Sequence, residues 1–166
     1  MKTLVIGLGN PILGDDSVGW RVSQALQDSG ELPSGVDVIS LAVGGISLME
    51  ALVGYQRAII VDSIVTHDVP IGKVSSFSLT ELIDPSSGHL VSAHDTSLQN
   101  ALLMGRELGL QLPDEIIMVT IEAQKVYEFS EELSPAVAAA IPEAMRIVLE
   151  ILPGASQSTS RRGDKE

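Results

Sequence analysis

The chain predicts an α/β fold, a three-layer sandwich in which a mostly parallel, twisted sheet of about five strands is flanked by helices. Three observations predict it. Short apolar runs alternate with amphipathic segments along the whole chain, the order that builds parallel sheets. A glycine-rich turn, Gly7-Leu8-Gly9-Asn10-Pro11-Ile12-Leu13-Gly14-Asp15-Asp16-Ser17-Val18-Gly19, joins the first apolar run to the first amphipathic one. The run Arg57–Asp62 is apolar on both faces until its final acid, which suits a central strand covered by helices on both sides.

Taken in order, Lys2–Ile6 is the first strand, and Val18–Leu26 follows with Val18, Val22, Ala25 and Leu26 at the spacing of a helix with one buried face. Gly30 and Pro33 end that helix. Val36–Leu41 is a second strand, broken by Gly44-Gly45, and Leu48–Val53 a short helix closed by Gly54. Arg57–Asp62 is the third strand and Gly72–Leu79 the fourth, after a turn at Pro70. Asp84–His94 reads as a polar loop, Leu98–Leu108 as an amphipathic helix, and Glu115–Ile121 as the fifth strand. Pro135–Leu152 is the last helix, which Pro142 is expected to bend or start late. The expected organisation is one domain over 1–152 and a disordered tail over 153–166, where Gly, Ser, Thr and mixed charge take over.

Composition narrows the function. With 166 residues and 45% hydrophobic content, one continuous core is feasible, and with 3% aromatics it must be aliphatic. The formal net charge of -12 argues against nucleic-acid and anionic-membrane partners, because neutralising phosphates needs clustered Lys and Arg. It permits a basic protein partner. The chain has no cysteine, which excludes a disulfide framework, a thiol nucleophile and a thiolate metal site. No signal-peptide core or membrane span is legible, so a cytoplasmic protein is expected.

The chemistry converges on one crevice. If the first and third strands are neighbours, as in a 2-1-3 order, Asp16 in the first loop and Asp62 at the third strand's end face the same side. His94, just ahead of a helix, closes over it. Two carboxylates and an imidazole suit Zn, Ni or another borderline divalent ion, with positions left open for water or substrate. Each residue also has a plainer reading. Asp16 reads equally as a helix N-cap, Asp62 as an acid at a solvated strand end, and His94, like His67 and His89, as a loop histidine. Asp15 reads as a turn or cap residue, and Asp95 as a cap for the helix near Thr96 or an orienter of the His94 ring.

Rival readings of the opening turn fail on particular residues. A dinucleotide fingerprint needs a third glycine at position 12, which is Ile, and an acid after the second strand, where Leu41 stands. A phosphate-binding loop needs Gly-Lys-Ser/Thr, which is absent. Gly7-Leu8-Gly9-Asn10-Pro11 resembles the start of peptidyl-tRNA hydrolases, but Gly14-Asp15-Asp16 stands where that family continues toward Arg-His-Asn, and the acidic balance suits tRNA poorly.

Gly7-x-Gly9-Asn10 followed by Gly14-Asp15-Asp16-x-x-Gly19 resembles the hydrogenase maturation proteases, endopeptidases that trim the C-terminus of the nickel-iron hydrogenase large subunit. Ile59-Ile60-Val61-Asp62-Ser63-Ile64 resembles their third strand with its acid, and Ser92-Ala93-His94 their Ser-x-His before a helix. The likeness in element order covers roughly the first 150 residues. It implies a phosphorylase/hydrolase-like fold related to that of the peptidyl-tRNA hydrolases. It also implies that Asp16, Asp62 and His94 meet nickel supplied by the substrate, that Asn10, Gly44 and Gly45 contact substrate, and that no organic cofactor is needed. The implied partner is the C-terminal region of a hydrogenase large-subunit precursor, met by a monomer. Ser17 stands where that family usually carries glycine, and Gly45-Ile46-Ser47-Leu48 where it commonly carries Gly-Thr-x-Gly. With no Ser-His-Asp arrangement and no cysteine, an acyl-enzyme is disfavoured. The expected reaction is metal-assisted peptide hydrolysis. A chaperone that holds the precursor without cutting it and a zinc hydrolase with its own metal are the competing readings.

Overall fold

A computed structural model describes residues 1–79 and 93–154, with only the backbone of 93–96 included. The expected disordered tail, apart from Pro153 and Gly154, and the polar loop up to Ser92 therefore lie outside the described residues. The strands are β1 (Thr3–Leu8), β2 (Val36–Leu41), β3 (Arg57–Ile64), β4 (Val74–Ser78) and β5 (Glu115–Glu122). The helices are α1 (Val18–Ser29), α2 (Gly45–Leu52), α3 (Ala93–Glu107) and α4 (Pro135–Ile151), with a 3-10 turn at Gly14–Ser17 ahead of α1.

The sheet order is β2-β1-β3-β5-β4. All neighbours are parallel except the β4–β5 pair, which is antiparallel. β1 and β3 are therefore adjacent, as the 2-1-3 order requires. Successive side chains on a strand point to opposite faces, and the two faces bury separate aliphatic clusters. Leu4, Ile6, Ala58, Ile60 and Met118 pack with Leu48, Leu52, Leu98 and Leu102 of α2 and α3. Val5, Ile59, Val61 and Val119 pack with Val18, Val22, Leu26, Val137 and Ala144 of α1 and α4. Helices on both faces make the predicted three-layer sandwich.

Several boundaries move for identifiable reasons. α3 begins at Ala93, five residues before the expected start, so His94 lies in its first turn rather than in a loop ahead of it. The apolar stripe Leu98, Ala101, Leu102 only begins one turn in, and a polar first turn carries no periodicity. α2 starts at Gly45, three residues ahead of Leu48, its first buried residue, because Ile46 is exposed and lies off the buried stripe. α4 begins at Pro135 and runs through Pro142 without interruption. Pro142 lies on the exposed side, where the carbonyl that loses its donor can face water, while Val137, Ala140, Ala144 and Val148 hold the buried side. β3 passes Asp62 by two residues because β5 continues beside it, pairing Asp62 with Thr120 and Ile64 with Glu122.

Candidate functional site

The site forms at the C-terminal ends of β1 and β3. β1 pairs with β3 only as far as Gly7 opposite Val61, so Asp62 is the first β3 residue beyond the β1 ladder while still paired to β5. Alternation puts Asp62 on the same face as Ala58 and Ile60, which is the side covered by α2 and α3. Asp62 is buried, at 3% exposure. Its Oδ1 accepts the Ser63 amide at 2.8 Å.

Asp16 reaches the same end through the turn after β1. Two glycines make the approach possible. Gly9 has φ +143, and a Cβ on it would overlap the Asp16 carbonyl oxygen. A Cβ on Gly19 would overlap the carbonyl oxygens of both Leu8 and Val61, so the start of α1 sits directly on the ends of β1 and β3. The half-buried Asp16 carboxylate does not cap α1, whose N-cap is Ser17. Instead its Oδ2 accepts the Asn10 amide at 2.8 Å, and Asn10 Oδ1 accepts the Ile12 amide at 3.1 Å. Among the described residues Asp16 Oδ1 accepts no hydrogen bond. Ser17 is fully buried and donates its hydroxyl to the Gly14 carbonyl at 2.7 Å, closing the 3-10 turn.

A cavity of about 200 Å³ opens here, lined by Leu8, Gly9, Asn10, Asp16, Ala42, Val43 and Gly44. Gly44 is the N-cap of α2. A Cβ on Gly45 would touch Ser97 of α3 at 3.7 Å, and Ser97 lies one turn after His94. The Gly45 backbone, next to the Gly44 wall of the cavity, thus lies close to the Ser97 side chain of α3. The side chain of His94 lies outside the described residues, as do those of Asp95 and His89. Among the described residues no group of three His, Cys, Asp or Glu side chains gathers into a metal-holding cluster.

Two further carboxylates at this end have structural roles that the sequence reading undervalued. Asp15 is fully buried. Its Oδ2 accepts the amides of Gln124 at 3.0 Å and Lys125 at 2.9 Å and the Ser134 hydroxyl at 2.9 Å, and its Oδ1 the Ser134 amide at 2.7 Å. Burial pushes its carboxyl upward, but the Ser134, Lys125 and Gln124 donors together hold it below the ordinary aspartate value. Asp15 is therefore no turn ornament: it ties the opening turn to the loop leading into α4. Glu122, buried at the end of β5, accepts the amides of Thr66 at 2.8 Å and His67 at 2.9 Å. His67 has φ 62, a left-handed conformation unusual outside glycine. An acid closing an apolar strand marks Glu122 in the sequence just as it marks Asp62, so the signal was present at both.

No helix among the described residues is long and apolar enough to cross a membrane. A family model described as hydrogenase maturation protease matches residues 20–151. The hydrogenase 2 maturation protease of Escherichia coli is 28% identical over 152 residues, which is 92% of this chain and 91% of that protein. The hydrogenase expression/formation protein HupD of Thiocapsa roseopersicina is 25% identical over 163 residues, 98% of this chain and 73% of HupD. Among solved structures, the hydrogenase maturating endopeptidase HybD of E. coli superposes with a TM-score of 0.74 at 27% identity, covering 90% of this chain and 91% of HybD. The hydrogenase 2 maturation peptidase of a Thaumarchaeota archaeon is 31% identical with a TM-score of 0.65, covering 90% of this chain and 97% of that one.

Proposed function

The chain belongs to the hydrogenase maturation proteases, endopeptidases that process hydrogenase precursors, and from that premise we propose that it cuts the C-terminal extension from a nickel-loaded large-subunit precursor. In this reading nickel arrives as part of the substrate and meets Asp16, Asp62 and His94. The ion, held also by the precursor, polarises the scissile carbonyl or lowers the pKa of a bound water. Asn10, Gly44 and Gly45 border the path of the peptide, and Asn10 also fixes the Asp16 carboxylate through its amide. The protein works as a monomer in the cytoplasm.

The observation that supports the reading best is the adjacency of β1 and β3, which puts Asp62 and the turn carrying Asp16 at one end of the sheet, with Asp16 lining a cavity there. Hard or borderline divalent ions take carboxylate oxygens readily. The departure at Ser17 does not disturb this arrangement, since its hydroxyl is satisfied within the turn.

The deciding experiment incubates the purified protein with nickel-loaded and nickel-free precursor and follows mass. Cleavage of the loaded form alone is expected. Cleavage of both would remove nickel from the mechanism. Tight binding without a mass change would make the protein a chaperone, and stoichiometric zinc in the isolated protein would make it a self-contained metallohydrolase.

A further inference from the structure

The loop between β5 and α4 carries an oddity that the cleavage chemistry does not use. The chain has five aromatic residues, and two of them, Tyr127 and Phe129, stand on this loop at 91% and 85% exposure. Scattered exposed apolar side chains need no explanation. These two differ because the segment that holds them is fastened to the site.

The fastening is extensive. Ser130 donates its amide to the Ile12 carbonyl at 2.9 Å and its carbonyl accepts the Gly14 amide at 2.8 Å, a strand-like bridge to the opening turn. The Asp15 amide donates to the Lys125 carbonyl at 3.1 Å, and the Asp15 carboxylate holds both ends of the loop. Arg21 donates to the Glu131 carbonyl at 3.1 Å. Val126 and Leu133 pack onto the core beneath. Tyr127 and Phe129 are therefore presented outward on a fixed backbone. Ile12, 48% exposed, flanks the bridge. Ile12 and Asn10 belong to the same turn as Asp16, so the aromatic loop is bridged to the turn that lines the cavity.

Rigid exposed aromatics cost little conformational entropy when a partner covers them, which is why Tyr and other large anchors dominate interface energetics. The surrounding charge is mostly acidic: Glu128, Glu131 and Glu132 are exposed on the same loop against one cation, Lys125, which sits 3.9 Å from Glu128, in a chain of net charge -12. We propose that Tyr127 and Phe129, with Ile12 beside them, form the docking rim for the hydrogenase precursor, gripping a segment that carries apolar side chains flanked by Lys or Arg, while Asp15 acts as the positioning residue that holds this rim in register with Asp16. This rests on the proposed function for the identity of the partner, and the rim itself fits no nucleic acid or anionic lipid.

The test compares wild type with the Tyr127→Ser/Phe129→Ser double variant on purified precursor, by steady-state processing and by direct binding. Both side chains are exposed, so the urea midpoint stays put. KM and Kd rise about tenfold or more, the loss expected when two interface anchors are truncated, and kcat stays within about twofold of wild type, because the interaction is made equally in the ground and transition states. Tyr127→Phe restores most of the affinity, and added salt weakens wild-type binding. Unchanged KM and Kd would overturn the proposal, as would a fall in kcat alone. A wild-type protein that binds precursor without cutting it, but loses binding in the double variant, keeps the rim and refutes the cleavage reading instead. A wild-type dimer that the double variant disrupts while precursor affinity is unchanged would assign the loop to a second copy of the chain and overturn the proposal.

Discussion

Replacing Asp15 with Asn separates holding the site from performing its chemistry. The wild-type carboxylate satisfies four donors without exposure to water. An Asn at 15 keeps one oxygen, best placed where Oδ2 accepts three donors. Its NH2 group then faces the Ser134 amide, which now sits 2.7 Å from Oδ1. Two donors meet, and one buried N–H is left without a partner, at about 1–3 kcal/mol. The three retained bonds fall from charge-assisted to neutral, each losing roughly 1 kcal/mol. The expected cost is about 4–6 kcal/mol, large against a typical stability of about 5–15 kcal/mol. In urea, with a slope of roughly 2 kcal/mol/M, the midpoint falls by about 2–3 M. The pH dependence gives an independent check. Asp15 is depressed below its ordinary value of 3.8, so its contribution is fully present above that value and is lost as pH falls through the native pKa. The variant lacks that acid-side decline. A loss under about 1 kcal/mol, or an unchanged acid limb, would refute the account of Asp15 as a buried charged clamp.

Other substitutions test the neighbouring roles. Asp16→Asn keeps an acceptor for the Asn10 amide, so stability changes by less than about 1 kcal/mol, while precursor processing measured by mass spectrometry falls at least ~100-fold if the carboxylate meets the metal. His94→Ala should abolish processing with the thermal midpoint little altered, and full processing would eliminate the histidine from the mechanism. Ser17→Gly removes the buried bond to Gly14 and adds chain entropy, costing about 1–2 kcal/mol by thermal denaturation. Gly19→Ala drives a methyl into the Leu8 and Val61 carbonyls, and circular dichroism should show a loss of about 3 kcal/mol or more, since neither backbone can yield.

The fold was legible because its signals are local. The two-faced apolar run Ala58–Val61 marks a central strand, and the Val18, Val22, Leu26 stripe marks the helix that covers it. The adjacency of β1 and β3 follows from topology, and it puts Asp62 and the turn that carries Asp16 at one end of the sheet. What stayed hidden was long-range pairing. Nothing near Asp15 in the chain indicates that its partners are Gln124, Lys125 and Ser134, more than a hundred residues away. Helix starts are displaced where the apolar stripe begins only after the first residues, at Leu48 in α2 and at Leu98 in α3. That error matters most for His94, which α3 carries on its first turn and not on a loop.

Hydrogen-bond occupancy explains why adjacent acids divide the work. A carboxylate has about four acceptor sites. Asp15 fills its capacity with four protein donors, and coordinating an ion would mean giving up bonds that are buried and cannot be replaced by water. Glu122 is committed in the same way to Thr66 and His67, and through them to a left-handed residue that costs about 1–2 kcal/mol to hold. Asp16 accepts one amide among the described residues, which aims the group, and it lines the cavity. The sequence writes Asp15 and Asp16 as identical neighbours, but the 3-10 turn sends one carboxylate inward to the β5–α4 loop and the other outward to the strand ends. An isolated acid at position 16 could be aimed only if the turn were rigid, and Asp15 supplies that rigidity. The buried member of the pair thus pins the backbone of the turn, and the other lines the cavity at the strand ends.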